Sequence, residues 1–79
     1  MSETYLDPIT VGEAIAYFRK RNNLSQEVLS GLSVIGRTHL SAIERGERKP
    51  TLETLYRISR ALGISMTEIV AEIEKRLNK

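Results

Sequence analysis

Apolar residues recur along this chain at intervals of three and four positions, the spacing that places side chains on one face of an α-helix. The first such stripe comprises Val11, Ala14, Ile15 and Phe18. No alternating run of strand length, internal repeat or low-complexity segment accompanies the helical pattern. The pattern predicts an all-α fold in which short loops connect five short helices around one core.

Capping and turn residues set the expected ends of the first two helices. The first is predicted over about Val11 to Asn22, because asparagine tolerates the left-handed conformation that ends a helix. Residues 1–10 are then an N-terminal extension, and residues 11–79 form a single domain. Ser25 is a good N-cap for a second helix of about six residues, QEVLSG.

The same signals bound the remaining helices. The third is predicted over about Arg37 to Arg45, with Gly46 ending it. Thr51 caps a fourth helix, and Ser65 with Glu68 forms the capping box of a fifth. The side chains of the fourth helix expected to face inward are Leu52, Leu55, Ile58 and Leu62.

The second and third helices have the character of a helix-turn-helix, in which two short helices joined by a tight turn present a polar second helix. Ser30 is small enough to let these helices pack closely. The core expected beneath them consists of Leu29, Leu32, Ile35, Leu40 and Ile43. The far face of the third helix is then free to meet a partner.

That face suits the major groove of double-stranded DNA, which is about 12 Å wide and admits one α-helix. Arg37 can reach O6 and N7 of guanine together, and Thr38 can contact a base edge or a thymine methyl group. Ser41 and Ala42 are small enough for the backbone to approach the bases. We therefore predict these four as base-reading residues. The predicted phosphate contacts surround them: Gln26, His39, Arg45, Arg48 and Lys49.

Composition narrows the function classes. Seventy-nine residues with a net charge of +2 leave room for one small domain, and residues 37–60 hold six Lys and Arg against three acidic residues. There is no cysteine and His39 is the only histidine, so we expect no metal, no cofactor and no catalytic site. No small-molecule ligand is evident. The start lacks a signal peptide and no apolar run is long enough to span a membrane, so we expect a cytoplasmic protein.

Three segments, LSQE, LSAIERGERKPTLETL and ISRALGIS, occur in register, and the chain from about Val11 to Leu77 resembles the Cro/C1-type (XRE family) helix-turn-helix domain of phage repressors and small bacterial regulators. The resemblance implies a compact five-helix, lambda-repressor-like fold that binds double-stranded DNA, usually as a homodimer on a palindromic operator. By position it implies that Gln26 contacts a phosphate and steadies the start of the recognition helix. It also implies an internal ion pair between Arg19 and Glu44.

Two residues depart from the family pattern. Val34 occupies the turn position that usually holds glycine, often at positive φ, where a β-branched side chain costs about 1 kcal/mol or more. Either the valine adopts that conformation or the turn is reshaped. Gly36 replaces the Ser or Thr that usually caps the recognition helix, and glycine is a weaker but acceptable N-cap.

The fifth helix leaves two interpretations open. Its apolar residues either close the core or form the seam of a two-fold dimer. The predicted dimer residues are Met66, Ile69, Val70, Ile73 and Leu77. The leading hypothesis is a dimeric transcriptional repressor, and a controller that also activates has the same architecture. The alternative is an antitoxin-type or anti-regulator subunit that uses this helix to bind a different protein.

Overall fold

The computed structural model describes residues 4–78, and all regular structure in that range is helical. The five helices are α1 Pro8–Arg21, α2 Gln26–Ser33, α3 Arg37–Glu44, α4 Leu52–Leu62 and α5 Met66–Leu77. Helix α1 packs against α3 and α5, and α2 packs against α3 and α4. One core joins all five, and its buried members are Val11, Ala14, Ile15, Leu29, Leu40, Ile43, Leu55, Ile58, Leu62, Ile69 and Ile73. The predicted all-α, five-helix architecture is therefore confirmed.

Helix α1 begins at Pro8, three residues earlier than predicted. The Asp7 side chain accepts a hydrogen bond of 2.9 Å from the Ile9 backbone N–H, and proline suits the first helical position because it has no N–H to satisfy. The last three residues of the predicted N-terminal extension thus belong to α1. At its other end Asn23 takes the left-handed conformation, with φ of 58°.

The N-caps predicted for α2, α4 and α5 and the glycine predicted to end α3 are confirmed. Ser25 and Thr51 accept hydrogen bonds from the backbone N–H groups of Val28 and Thr54, each at 3.0 Å. Ser65 and Glu68 form both hydrogen bonds of the capping box. Gly46 ends α3 at φ of 81°. Because each cap depends only on residues close along the chain, residue types and their spacing were enough to predict it.

Two predicted core leucines lie at the surface instead. Leu32 is 57% exposed, because α2 buries the adjacent face that carries Leu29 and Ser33. Leu52 is 73% exposed, since it is the first residue of α4 and lies at the edge of the buried stripe. The interior polar residues are small and hydrogen-bonded, as in the contact of the Ser33 hydroxyl with the Leu29 carbonyl at 2.7 Å.

Of the two interpretations left open for α5, closure of the core holds for part of its apolar stripe. Ile69 is 0% exposed and Ile73 is 6% exposed, so both belong to the core of the chain itself, against which Met66 packs half-buried. The assignment of Ile69 to a dimer surface was therefore wrong, because a side chain with no exposed area has none to bury against a partner. Val70 and Leu77 remain exposed. No helix within residues 4–78 is long and apolar enough to cross a membrane.

Candidate DNA interface

The inner face of α3 is fixed against the core, and this orients its outer face. Leu40 and Ile43 are fully buried. Helix α1 approaches the end of α3 so closely at Gly12 that a Cβ atom there would lie 2.6 Å from the Glu44 carbonyl oxygen and closer still to that of Ile43. Glycine is therefore required at this crossing, and α3 sits directly on α1.

A carboxylate at the end of α3 ties three helices together. Glu44 accepts hydrogen bonds from Arg19 Nε at 2.7 Å and Arg19 Nη2 at 2.9 Å, and its side chain is only 5% exposed. The predicted ion pair is confirmed. The hydrogen bond that Arg19 donates to Glu44 raises the pKa of the Arg19 guanidinium, which is protonated in any case. A third arginine nitrogen donates to the Leu24 carbonyl at 2.9 Å.

Gln26 joins the same cluster. Its side-chain nitrogen donates to Glu44 Oε1 at 2.9 Å, so the amide steadies the end of α3 rather than its start. The reason is the geometry of the motif, in which the first turn of α2 lies beside the last turn of α3. Phosphate contact by Gln26 stays a prediction.

The turn between α2 and α3 keeps the left-handed geometry despite its valine. Val34 has φ of 58° and ψ of 45°, and its N–H bonds the Gly31 carbonyl at 3.2 Å. The Ile35 N–H follows with a bond of 3.1 Å to the Ser30 carbonyl. Gly36 then begins α3 without a side-chain cap. The turn is therefore not reshaped, and Val34 adopts a conformation that is unfavourable for its side chain.

Two shallow depressions flank the outer face of α3. One is lined by Arg37, Thr38, Ser41 and Arg45. The other is lined by Gly36, Thr38, His39, Ala42 and Arg48. Thr38 borders both and so lies on the ridge between them. The structure thus brings all four predicted base-reading residues onto one surface with three of the predicted phosphate ligands, while their contacts with DNA stay predictions.

An acidic residue absent from the predicted site lies on this surface. Glu47 binds Arg45 through two hydrogen bonds, to Nε at 2.8 Å and Nη2 at 3.0 Å. The remaining terminal nitrogen, Nη1, donates to Ser41 Oγ. The bond to Arg45 lowers the pKa of the exposed Glu47 carboxyl and raises that of the Arg45 guanidinium. The signal in the sequence is the glycine between them, because a residue at positive φ reverses the chain and brings its neighbours together.

The basic loop before α4 has a second unexpected partner. The Lys49 ammonium group lies 4.6 Å from the centre of the Tyr5 ring, within the range of a cation–π interaction. Tyr5 therefore lies beside this loop. Arg48 instead borders the depression beside His39. Of the two predicted phosphate ligands in the loop, one is thus held by an aromatic ring and the other lies against α3.

Comparison with known proteins agrees with this geometry. The helix-turn-helix family matches residues 15–69. An HTH-type transcriptional regulator, y4dJ, of Sinorhizobium fredii is 38% identical over 65 residues, which are 82% of this chain and 84% of that protein. The immunity repressor of Bacillus phage phi105 is 39% identical over 64 residues, covering 81% of this chain and 44% of the repressor.

A solved structure extends the likeness to the whole backbone. The restriction-modification controller protein C.Esp1396I superposes with a TM-score of 0.85 at 30% identity, and the match covers 98% of this chain and 97% of the controller. Sequence and fold therefore agree over the same elements. The chain belongs to the Cro/C1-type (XRE) helix-turn-helix family of DNA-binding transcriptional regulators.

Proposed function

We propose that the protein is a transcriptional repressor that binds a two-fold symmetric operator as a homodimer. The observation that carries the proposal is the outer face of α3, where base-reading candidates and basic side chains border two depressions on either side of Thr38. One such helix fills one major groove, so a second copy is needed to read a second half-site about 34 Å away. Occupation of a promoter is the simplest way for a single DNA-binding domain to repress, and the relative named an immunity repressor supports that sign of regulation.

An apolar groove supports the dimer. It has a volume of about 360 Å³ and lies between the start of α4, the end of α5 and Leu6, which precedes α1. Its lining includes four exposed apolar residues: Leu6, Leu52, Val70 and Leu77. Exposed apolar side chains that cluster around one groove are typical of interaction surfaces. The occupant we propose is the same groove of a second copy, since a two-fold axis places identical patches together.

The first test is enrichment of bound sequences from a random pool of duplex DNA at about 150 mM salt, where non-specific binding is weakened. A two-fold symmetric motif with half-sites about one helical turn apart supports the proposal. A folded protein that enriches no motif contradicts it and favours the alternative of a protein-interaction subunit.

Substitutions of two arginines distinguish base reading from phosphate binding. Arg37→Ala is expected to cost about 1–3 kcal/mol on the enriched site and to relax the choice of base at one position. Arg48→Ala is expected to weaken binding to all DNA and to reduce the slope of log affinity against log salt by about one. Titrations on the enriched site and on unrelated duplexes, at several salt concentrations, measure both. An equal loss on every sequence for Arg37→Ala contradicts its assignment to a base.

A further inference from the structure

The Arg45 side chain makes three hydrogen bonds beside the end of the recognition helix. It is half exposed, yet Glu47 accepts from Nε and Nη2 while Ser41 accepts from Nη1. Ser41 lies on the outer face of α3, and both Ser41 and Arg45 border the depression that begins at Arg37. These contacts orient the guanidinium relative to the recognition helix in the free protein.

The Arg45 guanidinium keeps two N–H groups for a ligand. An arginine has five N–H groups in one plane. Three are used by Glu47 and Ser41, which leaves one N–H on each of the two terminal nitrogens. Two N–H groups on neighbouring nitrogens of one planar group can reach a pair of neighbouring acceptors. Guanine O6 and N7 form such a pair in the major groove.

Charge argues against a phosphate as the main ligand. The Arg45 and Glu47 side chains together carry no net charge at neutral pH, so the pair contributes little to the attraction of the DNA backbone. A phosphate close to Arg45 is also repelled by the Glu47 carboxylate. A neutral base edge meets no such repulsion.

We propose that Glu47 is a specificity-determining residue that positions Arg45 to read guanine in the major groove. This assignment replaces the phosphate contact predicted for Arg45, and it rests on the proposed sequence-specific binding of DNA. Without the carboxylate, Arg45 becomes a mobile cation that binds any nearby phosphate. Glu47 therefore weakens binding to unrelated DNA and favours one base at one position.

The test compares Glu47→Gln with the unmodified protein on the enriched site and on an unrelated duplex. The ratio of the affinity for the enriched site to the affinity for the unrelated duplex is expected to fall by about tenfold, because one bidentate base contact loses its favourable geometry. Binding to unrelated DNA tightens, and its salt slope steepens by about one, since an arginine is released to phosphates. A ratio that stays unchanged overturns the proposal.

Glu13→Gln is the matched control. Glu13 pairs with Arg76 at 3.8 Å and is 58% exposed, which is close to the 59% of Glu47. Both substitutions remove one negative charge. The control is expected to leave the affinity ratio unchanged, and an equal fall in both variants overturns the proposal in favour of a simple effect of net charge. Thermal unfolding of both variants verifies that each is folded.

A second variant tests the base directly. Selection from the random pool with Arg45→Ala is expected to lose the preference for one G·C pair in each half-site and to keep the rest of the motif. An equal loss of affinity on all sequences makes Arg45 a phosphate ligand and overturns the proposal. If the unmodified protein selects no motif at all, the proposed function fails first, and the two failures are thereby distinguished.

Discussion

Val34 combines a β-branched side chain with a left-handed backbone conformation, at φ of 58°. Its side chain is exposed, so packing does not offset the unfavourable conformation. We expect Val34→Gly to raise the free energy of unfolding by about 1 kcal/mol, because the strain removed exceeds the added entropy of the unfolded chain. Urea denaturation measures the change.

Val28 provides the control for this substitution. It is also exposed, but it lies inside α2, where glycine lowers helix stability. Val28→Gly is therefore expected to change stability in the opposite direction. Two substitutions that both destabilise the fold indicate that the turn tolerates valine without strain. Sequence reasoning identified this position through the family pattern, whereas the backbone conformation that the valine adopts became known only from the structure.

Gly12 governs the contact between α1 and the recognition helix. An alanine there puts its Cβ atom against the Glu44 and Ile43 carbonyl oxygens, which belong to helical backbone and cannot turn aside. Gly12→Ala is expected to lower the free energy of unfolding by about 2 kcal/mol or more, as overpacked interfaces do. Because α3 must shift, specific DNA binding is expected to weaken as well. Chemical denaturation and binding to the enriched site measure the two effects.

Gly31 serves as the control because a Cβ atom there meets nothing within 4 Å. Gly31→Ala replaces a glycine inside α2 with the best helix former, so stability is expected to rise by about 1 kcal/mol. If Gly12→Ala also raised stability, the close crossing of α1 and α3 would be disproved. The only sign of this crossing in the sequence is the glycine itself, which does not reveal which helix approaches.

At the scale of the whole molecule, the apolar groove predicts how two copies associate. Leu52→Glu places a charge at its rim and is expected to convert the proposed dimer into a monomer, because burying a carboxylate in an apolar contact is strongly unfavourable. Leu52 is largely exposed, so folding is expected to be preserved. Sedimentation equilibrium measures the oligomeric state. If the proposed dimer is lost, binding to the two-half-site operator is expected to weaken much more than binding to a single half-site.

Leu32→Glu is the matched control, since Leu32 is likewise exposed but lies on α2, outside the groove. It is expected to leave the dimer intact. A dimer that survives Leu52→Glu and is lost with Leu32→Glu assigns the interface to α2 and contradicts the groove.

By itself, the sequence determined the number of helices, most of their caps and the family, because these depend on spacing and on hydrogen bonds between residues close along the chain. Tertiary structure decided which apolar side chains are buried: Ile69 is buried, whereas Leu32 and Leu52 are exposed. It also decided the partners of charged groups. The pairing of Arg19 with Glu44 was inferred only through the family resemblance, and that of Arg45 with Glu47 was missed. Burial and charge pairing depend on how elements pack in space, which periodicity along one helix does not contain.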